Sequence, residues 1–112
     1  MFRRITTEFK AHLEGEVDSP FSGTSAKVEC KLYSNGQDKI KVKIRGLELG
    51  DSSTVSLWID GTEYAAVHVY QGRGELKQLN PKPGKLRDIK QGSRIDLRIR
   101  DRVIMSGEFY DD

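Results

Sequence analysis

Val55-Ser-Leu-Trp-Ile-Asp-Gly-Thr-Glu-Tyr-Ala-Ala-Val-His-Val-Tyr70 is the stretch whose reading decides the fold class. Val55, Leu57 and Ile59 recur at every second position. Asp60-Gly61 is a dipeptide that tolerates positive φ at both centres of a tight hairpin turn. The stretch therefore reads as two antiparallel strands joined by two residues. Its return arm, from Thr62 to Tyr70, carries a conflict of phase. A two-residue loop pairs Ile59 with Thr62 and turns Tyr64, Ala66 and His68 inward, yet Val67 and Val69 are the more apolar residues. A bulge near Ala65-Ala66 resolves this by moving both valines onto the core face.

The same alternation runs outward in both directions. Ile5 to Leu13 reads as a long first strand, with Ile5, Thr7, Phe9, Ala11 and Leu13 on one phase. Ala26, Val28, Cys30 and Leu32 mark a second strand, and Asn35-Gly36 turns into a third with Ile40, Val42 and Ile44 inside. After Gln71-Gly72-Arg73-Gly74 comes a short strand around Glu75 to Leu79. Asn80-Pro-Lys-Pro-Gly-Lys85 is a loop, because proline cannot donate to a ladder. Ile95, Leu97 and Ile99 form another strand, which turns at Asp101-Arg102 into a last one from Val103 to Tyr110, kinked at Gly107. No stretch holds a 3.6-residue stripe. About eight short strands with regular turns make a β-sandwich or a barrel. The sequence predicts a single all-β domain over residues 1–112, an antiparallel β-sandwich of about eight strands.

Composition narrows the function more than it identifies it. The 112 residues hold a single cysteine and two histidines. One cysteine excludes an internal disulfide and a Cys-rich zinc site. His12 and His68 bring no third ligand to hand, so no metal or cofactor is expected. Cys30 shares the phase of Val28 and Leu32, which predicts a buried, inert thiol. Glu14, Glu16 and Asp18 lack the spacing of a calcium loop and read as a solvated acidic loop. Gln71-Gly72-Arg73-Gly74 lacks the strand–loop–helix setting of a phosphate cradle. No apolar run reaches the length of a membrane-spanning helix. The absence of a signal-like segment and the lone cysteine predict a cytoplasmic location.

A net charge of +2 conceals strong local imbalance. Residues 27–45 carry a net of +4, residues 46–72 a net of -4 and residues 73–102 a net of +6. Lys39, Lys41, Lys43 and Arg45 form an outward row on one strand. Arg94, Arg98, Arg100 and Arg102 form a second, broken by Asp96. On one sheet the two rows would build a surface for phosphate or another polyanion. The commoner role of such residues is to keep a strand face solvated and its edges protected, and this role is favoured here. Single-stranded recognition needs aromatics among the cations, and only Tyr33 lies near the first row.

Phe9-Lys-Ala-His-Leu-Glu-Gly15, Ser19-Pro20 and Ser22-Gly-Thr24 resemble the opening of chordin-type (CHRD) β-sandwich domains. Gly46-Leu47 and Gly107-Glu-Phe109 are similar to that family's Gly-Leu step and Gly-Glu-Ile ending. The resemblance implies an immunoglobulin-like or superoxide-dismutase-like sandwich. It implies no chemistry, because Leu57-Trp-Ile59 stands where the family has paired histidines, and Asp96-Leu-Arg-Ile99 replaces its Asn-x-His-Thr segment. Two histidines also cannot furnish a dismutase copper and zinc site.

Three functions are compatible with these residues. The favoured reading is a non-enzymatic binding or structural module, acting through protein contact or self-association. Its anchors are open strand edges and Trp58, which lies on the phase opposite Val55, Leu57 and Ile59. Trp58 is either outward or buried, for instance against Val67 and Val69 across the hairpin; a symmetric homodimer is the form this implies. The alternative is polyanion or nucleic-acid binding through the two basic rows. An enzyme with a site among the loops is the third, and no spacing of Ser, Asp, Glu or His selects it.

Overall fold

A computed structural model describes residues 5–15, 21–34, 37–47, 52–79 and 89–111. Among the described residues there are nine strands: β1 Ile5–Glu14, β2 Ser25–Tyr33, β3 Asp38–Arg45, β4 Ser52–Ile59, β5 Thr62–Tyr70, β6 Arg73–Leu79, β7 Arg94–Ile99, β8 Arg102–Glu108 and β9 Tyr110–Asp111. The Asn35-Gly36 turn, the loop at 80–85 and the acidic residues Glu16 and Asp18 lie outside the described residues.

The strands close on themselves. Hydrogen-bonded neighbours follow the order β2-β3-β6-β5-β4-β7-β8-β1, and β1 pairs back onto β2. β9 continues β8 along the same edge of β1, with Lys10 opposite Tyr110 and Glu14 opposite Ser106. The fold is thus an antiparallel β-barrel, and the expected open sandwich is corrected. Alternation could not separate the two, because a strand with one face inside has the same pattern in either. The difference lies in β1, which uses both edges.

The ring has two narrow seams. β5 meets β6 only at Val69–Gly74 and Tyr70–Arg73. β1 meets β8 and β9 at three residue pairs. Elsewhere the ladders are long, with eight paired positions between β2 and β3. Two broad curved sheets are therefore joined at two narrow corners. Closure leaves no strand from β1 to β8 with a whole free edge, and the edge pairing expected for a homodimer loses its ground.

Apolar side chains fill the interior, as in other narrow barrels. Leu13, Val28, Ile40, Val42, Ile44, Val55, Leu57, Ile59, Ile95 and Leu97 are all buried there. Each such burial contributes roughly 1.5–3 kcal/mol. Cys30 is buried among them. The β4–β5 bulge lies one residue before its expected place: Trp58 faces Glu63 and Leu57 faces Ala65, which leaves Tyr64 over. Tyr64, Val67 and Val69 all turn inward as a result. Asp60 and Gly61, at φ 49° and 83°, make the hairpin turn. The β7–β8 turn centres on Arg100-Asp101, one residue before the expected Asp101-Arg102.

Candidate polyanion-binding face

Residues that alternate with the core on β2, β3 and β6 point outward, so register decides which cations meet. Ser25, Arg45 and Arg73 share one level, followed by Lys27, Lys43 and Glu75. Glu29, Lys41 and Lys77 come next, and Lys31 pairs with Lys39 below. The first basic row is therefore the centre of a wider face. Lys27, Lys31, Arg73 and Lys77 join Lys39, Lys41, Lys43 and Arg45, against the carboxylates Glu29 and Glu75. Lys27 and Lys31 alternate with the core residues of β2, so their outward phase is local, but the pairing of β3 with β6 is non-local and leaves no signal in the sequence.

Like charges stand directly opposite one another at four places on this face: Arg45–Arg73, Lys27–Lys43, Lys41–Lys77 and Lys31–Lys39. Such pairs are destabilising across a ladder. A solvated face with mixed signs would give the same solubility without that cost. Carboxylates reach only part of the set: Glu29 is 3.3 Å from Lys27, Glu8 is 3.9 Å from Lys31 and Glu75 is 3.9 Å from Lys77. Among the described residues, no carboxylate lies in ion-pair range of Lys39, Lys41, Lys43, Arg45 or Arg73. Alternate residues on a strand lie roughly 6.7 Å apart, so the β3 row presents evenly spaced charges along one line. A hollow of about 240 Å³ opens between Lys43, Arg45, Arg73 and Glu75.

Glu29 is the electrostatic keystone of the face. Burial pushes its carboxyl up, but the Lys27 hydrogen bond and the charges of Lys27, Lys10 and Lys41 outweigh burial and hold it below the ordinary 4.5. A carboxyl lowered in the folded state stabilises above its unfolded value, and that contribution is lost as pH falls through the folded value. Glu29→Gln should therefore be less stable than the parent at neutral pH. The gap should close below pH 4.5. Urea midpoints measured across that range check it, and a gap constant with pH would refute the ion-pair account.

The second row does not join the first. β7 lies four strand positions from β3 in either direction around the ring, which puts Arg94 and Arg98 on the far side. Their charges are also spent locally. Arg94 Nε and Arg98 Nη2 bind the two oxygens of Asp96 at 3.2 and 3.1 Å. Arg100 sits in the turn at φ 55°, and Arg102 stacks over Phe21 at 5.2 Å.

Trp58 does point outward, and it is half-buried rather than presented. The Arg98 guanidinium covers its ring at 4.3 Å from the centroid. Its Nε1–H donates to Ser56 Oγ at 2.9 Å, and Ser56 Oγ donates to the Arg98 carbonyl at 3.2 Å. Val67 and Val69, considered as packing partners for it, lie inside the barrel. Tyr33, the aromatic expected beside the basic row, is buried. Among the described residues, no group of three or more His, Cys, Asp or Glu is placed to hold a metal ion. No helix among them is long and apolar enough to cross a membrane. No protein-family model matches the chain, and no curated protein matches it.

Proposed function

We propose that the protein is a binding module for polyanions and that the outer face of β2, β3 and β6 receives them. The observation that carries this reading is the row Lys39, Lys41, Lys43 and Arg45, without ion-pair partners among the described residues and flanked in register by Lys27, Lys31, Arg73 and Lys77. A small net charge for the whole chain does not weaken the local field, because opposite charges beyond a Debye length are screened. The protein-contact reading rested on free strand edges and an exposed indole. Closure pairs each barrel strand on both sides over at least part of its length, and Arg98 roofs Trp58.

Binding of this kind is electrostatic and releases counterions, so affinity falls linearly with salt on logarithmic axes. Four cations engaged on a single-stranded polyanion predict a slope of about -3. Fluorescence anisotropy with labelled polyphosphate and a labelled oligonucleotide, each from low to moderate salt, measures it. A flat dependence, or no binding at low salt, would remove the reading.

A further inference from the structure

Polyphosphate, sulfated glycans and nucleic acids all offer regular negative charge, and the basic face alone does not choose among them. The choice comes from the end of the face. Tyr70 closes β5, and across the turn at Gln71-Gly72 it pairs with Arg73, which pairs in turn with Arg45. One transverse row of the barrel surface thus reads Arg45, Arg73, Tyr70. Tyr70 is 57% exposed, the highest value for any large apolar or aromatic residue described.

Among the described residues, the other Trp and Tyr side chains that reach solvent, Trp58 and Tyr110, are already engaged. Arg98 covers Trp58. Tyr110 stacks on His12 at 6.3 Å with the rings 20° apart. The Tyr70 ring has no aromatic or cation–π neighbour among the described residues. An open phenol ring costs hydration and contributes nothing to packing, whereas beside two guanidinium groups it is a platform for a planar partner. Bases stack on such rings regardless of sequence. Neighbouring strands lie roughly 4.8 Å apart, so a phosphate in the hollow between Arg45 and Arg73 leaves its own base within reach of Tyr70. Glu75 also lines that hollow and is held 3.9 Å from Lys77.

We infer that the polyanion is a single-stranded nucleic acid, its phosphates following the β3 row and one unpaired base stacking on Tyr70. This rests on the polyanion reading and adds the base to it. Duplex nucleic acid keeps its bases stacked inside, and polyphosphate has none, so neither uses Tyr70.

The test compares the intact protein with Tyr70→Ala and Tyr70→Phe against three labelled probes: a short thymidine oligonucleotide, the same length of duplex DNA, and polyphosphate. Tyr70→Ala should weaken the oligonucleotide by roughly tenfold while leaving duplex and polyphosphate unchanged. Tyr70→Phe should retain parent affinity for all three. Loss of affinity for no probe, or equal loss for all three, overturns the stacking role while polyphosphate binding stands. Failure of the parent protein to bind polyphosphate at low salt overturns the polyanion reading itself.

Discussion

Converting Lys39, Lys41, Lys43 and Arg45 together to glutamine should lower oligonucleotide affinity at low salt by about a thousandfold. An exposed cation beside an anionic surface is worth about 1 kcal/mol, and four of them approach 4 kcal/mol, close to three decades in the dissociation constant. The salt slope should shrink by about 3 as those contacts disappear. The barrel should survive, because all four side chains point outward and Ile40, Val42 and Ile44 between them are untouched. Removing like-charge pairs should if anything raise the unfolding midpoint. The matched control is the triple variant Arg94→Gln, Arg100→Gln and Arg102→Gln, on strands β7 and β8 and their turn. It removes nearly as much formal charge from the far side of the ring, so its affinity should move by only about threefold. Comparable losses in both variants would mean that net charge, not this face, governs binding.

The second large effect concerns stability. Gly46→Ala should destabilise the fold by about 3 kcal/mol, lowering the melting temperature by roughly 10 °C. Gly46 ends β3 at φ +74°, a conformation that costs an L-residue roughly 1–2 kcal/mol. A Cβ there would also stand 2.5 Å from the Gly23 carbonyl oxygen, which is backbone and has no rotamer to escape into. The loop must shift, and the bond from Thr24 Oγ1 to the Gly46 carbonyl, 3.0 Å long, is at risk for about 1 kcal/mol more. Gly92→Ala separates the two causes. Its φ is +89° but nothing lies within 4 Å of the added carbon, so it should cost only the conformational part. Equal costs at the two glycines would refute the close-approach argument. Thermal unfolding of the three proteins decides it.

Local pattern carried much of this molecule and could not carry its closure. The Val55–Tyr70 hairpin, its bulge and the outward run from Lys39 to Arg45 follow from spacing of two, because each concerns residues close in sequence. Barrel closure depends on β1 meeting β9 about a hundred residues later, and no local rule reports that. The same gap hid Lys77 and Arg73 beside β3 and put the two basic rows on opposite sides of the ring. Tyr33 was misplaced for a smaller reason: Leu32 and Tyr33 are both buried, which breaks the alternation at the strand end. The stacking residue was the nearest miss. Gln71-Gly72 is a two-residue turn with φ values of 51° and 80°, and such a turn sets Tyr70 opposite Arg73.

The thin seam between β1 and the β8–β9 edge has a consequence for how the chain reaches this state. Residues 9–14 complete their second ladder only with residues 106–111. During synthesis β1 therefore emerges before β8 and β9 and waits with one edge unsatisfied until they have left the ribosome. Contacts of such long sequence separation are slow to form. Through that delay the open edge of β1 is a template for strands of other chains. Glu8, Lys10 and Glu14, on the outward phase of β1, place charge beside that edge for as long as it stays uncovered.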